Sequence, residues 1–267
     1  MSKLYFIGGG KMASAIAGGL LRSGTMKAED IGVFDPDPSA AKAFTQNIPI
    51  TVDTELKTEK IAAFEAVLIA VKPQMITTAL APLAQVIKDK LLISIAAGIP
   101  IAKLQELTGC ARIVRVMPNT PALVGYGASG YAVSETAGNA DADFAQKILS
   151  AIGVAVKLKE HDLDGVTALS GSGPAYVFEF IQALADGGVA EGLTRDTALQ
   201  LAIQTVIGAA EMVKQTGEHP ASLKDKVTSP AGTTSRALEE LAERGFAGTV
   251  IKAVRAAAAR SRELGKN

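Results

Sequence analysis

The sequence has no tryptophan, one cysteine, two histidines and only 4% aromatic residues. A single thiol, Cys110, cannot close a disulfide within the chain, so the fold must rest on packing alone. Cys110 reads as a small buried residue rather than a nucleophile, and a reducing, cytoplasmic setting is expected. His161 and His219 offer little for a metal site. An excess of charge is missing as well: 27 basic residues balance 27 acidic ones, with no Lys/Arg run. That argues against a dedicated binder of nucleic acid or of an anionic membrane surface and leaves room only for a local patch. No stretch approaches the roughly 20 apolar residues that span a bilayer. The first residues show no signal-peptide pattern, so a soluble intracellular protein is expected. What is present is 48% hydrophobic residues in 267, enough for one large domain or two ordinary ones.

From residue 1 to about 158, short apolar runs alternate with helical patterns. The runs are "KLYFIG", "IGVFD", "AVLIAV", "LLISIA", "RIVRVM" and "SGYAV", with a seventh at "GVAVKL". Continuous Val/Ile/Leu runs suit strands covered on both faces by crossover helices. The expected fold is therefore α/β, with a Rossmann-like, doubly wound, mostly parallel sheet. From residue 159 to 267 no strand is expected. Ala, Leu and Glu recur at helical spacing, with a break between two helices at "GGVAEGL" (Gly187 to Leu193). The boundary is placed near Lys157–Asp162.

"FIGGGKMASAIAGGLL" sets Gly8, Gly10 and Ala13 in a G-x-G-x-x-A pattern between a strand and a helix, with Gly9, Lys11 and Met12 in the same turn. The first glycine permits the tight turn, and the second lets a pyrophosphate approach the backbone. Ala13 allows helix and strand to pack closely. The helix start supplies amide donors and a partial positive charge. Asp35 ends the next strand and has two readings. It accepts hydrogen bonds from an adenosine ribose, which favours NAD, or it serves the turn "DPDPS". Other loops fall at carboxyl ends of strands: "AVKPQ", "SIAAGIP" and "VMPNTPALVGYG". They add Ala70, Val71, Lys72, Pro73, Ala96, Ala97, Gly98, Pro118 and Asn119 as candidate cofactor-lining residues. Lys72 reads either as a proton donor or phosphate contact, or as a solvated lysine.

"GVTALSGSGPAYVFEFIQALADGGVAEGL" carries no charge from Gly165 to Phe178. Pro174 inside a helix costs about 3 kcal/mol, so close backbone packing or a ligand must compensate. "KDKVTSPAGTTSRALEELAERG" puts small and hydroxyl residues directly before an amphipathic helix, which suits an anion site at a helix start. The plain alternative is an N-cap with a proline in the first turn.

Taken together, "GGGKMASAI", "AVKPQ", "SIAAGI", "RVMPNTPALVGYGASGY", "ALSGSGPAYVF" and "KDKVTSPAGTTSRALEELAERGF" resemble, in order and spacing, the pyrroline-5-carboxylate reductases. The resemblance covers essentially the whole chain. It implies hydride transfer from NAD(P)H to the C=N bond of 1-pyrroline-5-carboxylate, giving L-proline. It implies that Gly8 to Ala13 and Ala70–Pro73 hold the dinucleotide, and that Ser229, Gly232, Thr233 and Thr234 hold the substrate. Thr234, with Thr233 as alternative, would direct its hydroxyl at the ring nitrogen. A homodimer through the C-terminal helices is implied too, with larger assemblies possible. Two positions depart from the family. Ala231 stands where many members have a second glycine, and its methyl group leads one to expect a negative φ. Asp35 fits poorly with the NADPH use common in the family, so NADP or NAD is left undecided. The rival readings are a β-hydroxyacid dehydrogenase, whose catalytic lysine "SGSGPAYVFEF" lacks, and a non-catalytic dinucleotide sensor, which would not need "TSPAGTT".

Overall fold

A computed structural model describes residues 3–265. The chain opens with β1 (Leu4–Ile7), α1 (Lys11–Arg22), β2 (Ile31–Phe34), α2 (Pro38–Asn47), β3 (Val52–Asp53) and α3 (Thr58–Ala62). β4 (Ala66–Ile69), α4 (Ile76–Leu80), α5 (Ala84–Ile87), β5 (Leu91–Ser94), α6 (Ile101–Thr108) and β6 (Ile113–Met117) continue the alternation. β7 (Gly127–Val133), α7 (Asn139–Ser150) and β8 (Gly153–Lys157) complete the sheet, and α8 (Leu163–Val166) leads away from it.

The strands form one sheet in the order β3-β2-β1-β4-β5-β6-β7-β8. All neighbours are parallel except β6 and β7. The exception follows from the connection. Only a short loop with one 3₁₀ stretch (Thr120–Val124) joins β6 to β7, and a parallel return needs a longer crossover. Each of the seven apolar runs forms a strand. The eighth strand, β3, is two half-buried residues long and leaves no apolar run to read. In β1 the side chains alternate between layers: Leu4 and Phe6 join the cluster under α1 and α7, and Tyr5 and Ile7 the opposite one. All four are buried, each apolar side chain contributing about 1.5–3 kcal/mol. Cys110 is 1% exposed. Its thiol donates to the Ile87 carbonyl at 3.0 Å, and burial pushes its pKa up.

Two compact units divide the chain. The first holds the residues up to Ser172 and those from Ala257 onward; the second is Gly173–Ala256. Within the first, the Ser261 hydroxyl donates to Asp164 at 2.6 Å.

The second unit is helical: α9 (Gly173–Ala190), α10 (Arg195–Thr216), α11 (Pro220–Lys226), α12 (Thr233–Glu243) and α13 (Phe246–Leu264), the last of which runs on past the unit's limit. The break expected over Gly187–Leu193 is narrower, because α9 continues to Ala190. Thr194 caps α10 by accepting from the Thr197 N–H at 3.3 Å. His219 Nδ1 caps α11, accepting from the Ala221 N–H at 3.2 Å. Glycines with positive φ, Gly217 and Gly245, follow α10 and α12. The buried core of this unit is thin, built on Ala185, Ala198 and Ala202 with Ile181 and Val189 against them.

Pro174 does not lie in a helix interior as the sequence suggested. α8 passes into a π-turn over Thr167–Gly171, and α9 starts afresh at Gly173. Pro174 thus occupies a first turn, where its missing N–H costs little.

Asp141 shows how one buried carboxylate holds the edge of the sheet. It accepts from the Gly138 N–H at 3.1 Å, closing the start of α7, and from Arg112 Nε at 3.0 Å on the strand β6 side. The Arg112 hydrogen bond is the main cause that holds its carboxyl below the usual range, with the Gly138 N–H adding to it. A depressed folded pKa stabilises fully above the ordinary carboxylate value near 4 and is lost as pH falls through the depressed one. Because the guanidinium is half exposed, solvent screening limits the pair to about 1 kcal/mol. Asp141→Asn should therefore lower the melting temperature at pH 7 by a few degrees and flatten the acid limb of stability. Calorimetry from pH 7 down to pH 3 checks this; parallel curves for both proteins would contradict it.

Candidate active site

The parallel strands β2, β1, β4, β5 and β6 all end on one edge of the sheet. The chain reverses its direction of winding between β1 and β4, the switch point where open α/β sheets leave a crevice. At that point the loops after β1 and β4 touch. Gly8 has φ +104, and a Cβ built there would lie 2.8 Å from the Ala70 carbonyl oxygen. Only glycine fits. The Gly8 N–H donates to the Phe34 carbonyl and the Ala70 N–H to the Ile7 carbonyl, each at 2.8 Å.

Gly9 and Gly10 do different jobs. The Gly9 N–H donates to Asp35 Oδ2 at 2.7 Å, tying the loop to the end of β2. Gly10 has nothing within 4 Å of the position a Cβ would take. The first internal bond of α1 runs from the Ser14 N–H to the Gly10 carbonyl at 2.9 Å. The N–H groups of Lys11, Met12 and Ala13 precede it and have no partner within the helix. An open backbone beside these donors fits a dinucleotide pyrophosphate. A pocket of about 690 Å³ borders the same turn, with Gly9, Gly10, Lys11 and Ser14 in its wall.

The remaining first-unit candidates share this edge. Asp35 accepts from two backbone N–H groups, Gly9 with one oxygen and Asp37 with the other at 2.9 Å; Asp37 in turn caps α2 through the Ser39 N–H. Val71 lines the close approach to Gly8, and Lys72 is exposed and begins the short 3₁₀ turn at Pro73. Ala96 is buried, Ala97 is exposed, and Gly98 has φ +75. The start of α6 just beyond is anchored by Glu160, which accepts from the Ile101 N–H at 2.7 Å and from Arg115 at 3.0 Å. Pro118 and Asn119 are buried. No group of three or more His, Cys, Asp or Glu among the described residues could hold a metal ion, and no helix among them is long and apolar enough to cross a membrane.

The other candidates lie in the second unit, where the loop after α11 meets α12. The first bond of α12 is from the Arg236 N–H to the Gly232 carbonyl at 3.3 Å, so the N–H groups of Thr233, Thr234 and Ser235 precede it. The Gly232 N–H turns back to the Ser229 carbonyl at 3.1 Å. Ser229 Oγ lies 2.2 Å from where a Gly232 Cβ would be, so any side chain at 232 would displace the hydroxyl. Thr234 is half-buried and Thr233 exposed. The expectation for Ala231 is overturned. Its φ is +56, the sole positive value among non-glycine residues described. The tight turn that aims Gly232 into α12 requires the left-handed region, and the methyl is accommodated with about 1–2 kcal/mol of strain.

A doubly wound sheet with a glycine loop at its switch point defines a dinucleotide-dependent oxidoreductase. Comparison with known proteins narrows this. Residues 160–264 match the model described as pyrroline-5-carboxylate reductase dimerisation, and residues 3–98 that described as NADP oxidoreductase, coenzyme F420-dependent. The chain is 48% identical over 262 residues to the pyrroline-5-carboxylate reductase of Pisum sativum, covering 98% of this chain and 95% of that one. Among solved structures, the Coxiella burnetii pyrroline-5-carboxylate reductase superposes with a TM-score of 0.93 at 35% identity, covering 100% and 99% of the two chains. The Plasmodium falciparum pyrroline carboxylate reductase, with NADP bound, has a TM-score of 0.87 at 36% identity, covering 99% and 98%. The chain belongs to the pyrroline-5-carboxylate reductase family.

Two substitutions separate fold from site. Gly10→Ala meets no protein atom and has an ordinary φ of −71, so the melting temperature should hold while dinucleotide affinity falls at least tenfold by calorimetric titration. Unchanged affinity would remove Gly10 from the phosphate cradle. Ala231→Gly should raise stability by about 1 kcal/mol by relieving the left-handed alanine, with kcat within twofold; a lower melting temperature would contradict the strain.

Proposed function

We propose that this chain reduces 1-pyrroline-5-carboxylate to L-proline with NAD(P)H. Thr233, Thr234 and Ser235 offer three N–H groups at a helix start, and this observation carries the substrate reading. They suit the substrate carboxylate, which the helix dipole also favours. Ser229 adds a hydroxyl, and Gly232 keeps the approach free of side chains. The Thr234 hydroxyl addresses the ring nitrogen. When bound, a reduced nicotinamide would supply hydride to the C=N carbon, and a protonated imine accepting it would become a neutral amine. No acid of unusual strength is needed. Orientation and electrostatic positioning supply most of the rate.

On the cofactor side the proposed contacts are Gly8 to Ala13, Asp35, Ala70 to Pro73, Ala96 to Gly98 and Pro118. NADP and NAD differ by one 2′-phosphate. Asp35 and Asp37 place two carboxylates at the end of β2, which disfavours that phosphate. The bonds of Asp35 to Gly9 and Asp37 equally support the turn role read from "DPDPS".

We assign residues 1–158 to dinucleotide binding and 159–267 to substrate binding and homodimerisation, in the cytoplasm and without nucleic acid as partner. The helical faces support the dimer. Phe178 is 63% exposed, Ile251 60% and Leu201 54%, more apolar surface than a single copy keeps without a partner. Gly187 and Gly208 face open space within one chain, so packing within that chain does not account for their small size.

The test is absorbance loss from NADPH and NADH in parallel, with 1-pyrroline-5-carboxylate added and proline measured. Oxidation matched by proline supports the reaction, and the ratio of kcat/KM values reports on Asp35. Thr234→Ala should lower kcat about 10- to 100-fold with little change in melting temperature. Dinucleotide binding without turnover would remove the reading, and an unchanged kcat/KM for Thr234→Ala would remove that residue from it.

A further inference from the structure

Asn119 is 7% exposed, and both ends of its carboxamide are committed inside the first unit. Oδ1 accepts from the Ala128 N–H at 2.9 Å, at the start of β7. Nδ2 donates to the Ser170 carbonyl at 3.0 Å, in the π-turn that follows α8. These partners fix the amide orientation without ambiguity, since an N–H needs the oxygen and a carbonyl needs the nitrogen.

The Ser170 carbonyl is short of a donor for a reason written in the sequence. In an α-helix its partner would be the N–H four residues on. That residue is Pro174, which has none. The chain responds by widening: the Ser172 N–H reaches back five residues to the Thr167 carbonyl at 2.8 Å. Ser170 is half-buried, so its carbonyl gains by finding a partner, and Asn119 supplies the absent donor from another part of the chain. π-turns of this kind gather at functional sites.

The clamp also sets the edge of the crevice. Asn119 follows Met117 and Pro118 at the carboxyl end of β6. A Cβ at Gly171, next to Ser170, would sit 2.7 Å from Met117 Cε. The carboxyl end of β6 and the π-turn therefore meet closely, with the Asn119 carboxamide as the polar bond beside that contact.

We propose that Asn119 is a positioning residue, not a cofactor contact: its carboxamide replaces the hydrogen bond denied by Pro174, and so holds the π-turn and Met117 in register at the reaction edge of the sheet. This rests on the reductase reading above for its kinetic consequences and on the geometry alone for its structural ones. A displacement of about 1 Å at such an edge is enough to cost up to 100-fold in rate.

Three readouts test it. With Asn119→Ala, kcat for 1-pyrroline-5-carboxylate should fall at least tenfold, while the Kd of NADP from calorimetric titration stays within threefold, because the Gly8 to Ala13 cradle is untouched. Amide hydrogen exchange at Ser172 and Ala128 should quicken at least tenfold, with or without turnover. Asn119→Asp keeps the shape but sets an oxygen against the Ser170 carbonyl. Its kcat should be low at pH 8 and recover relative to the unaltered chain as pH falls toward 5, because a protonated carboxyl can donate again. Asn119→Asp carries the test alone if the alanine variant does not fold. Unchanged exchange at both amides would overturn the clamp. A tenfold rise in the Kd of NADP with kcat preserved would make Asn119 a direct contact, and kcat and KM both within twofold would leave it no part in positioning. Failure of the unaltered chain to turn over 1-pyrroline-5-carboxylate tells instead against the reaction, and exchange then still decides the clamp.

Discussion

The close approach of Gly8 to the Ala70 carbonyl is the constraint from which the cofactor edge follows. β1 and β4 lie side by side in parallel register, Ile7 opposite Ile69, so the two chains leave the sheet together. A side chain at position 8 would drive them apart. With hydrogen there instead, the loops close on each other, Gly9 reaches Asp35, and α1 starts with its free amides turned to the crevice. One missing methyl group thus links three strand ends, and the interior layers keep them aligned.

Much of this was legible in the sequence. Seven apolar runs became seven strands, and the glycine loop stands where its spacing put it. The sites that escaped did so for physical reasons. β3 is held by neighbours and has no apolar run of its own. The left-handed φ of Ala231 contradicts residue preference, because the turn into α12 overrides a cost of about 1–2 kcal/mol. The π-turn was visible as an awkward proline, but its remedy lies 51 residues away at Asn119, beyond the reach of any local pattern. A carbonyl four residues before a proline, inside a helical stretch, is the signal that could have prompted the search.

The two units differ in how they are held. The first has interdigitated layers of Leu, Ile, Val and Phe on both faces of a sheet. The second shows alanine at its centre and large apolar side chains on its surface, the reverse of a self-sufficient core. Side chains cap α10 and α11, at Thr194 and His219, so local structure there is well specified while burial is left incomplete. A thin alanine core beside exposed large apolar side chains fits the match of residues 160–264 to a dimerisation family.

The lone thiol has a practical consequence. Cys110 is sealed beneath α5 and hydrogen-bonded to Ile87, so alkylating reagents and oxidants find no sulfhydryl at the surface. The native chain is in effect a blank background for labelling chemistry. A single cysteine introduced on α10 or near Ser229 would carry a spin label or fluorophore alone, without first removing a native one.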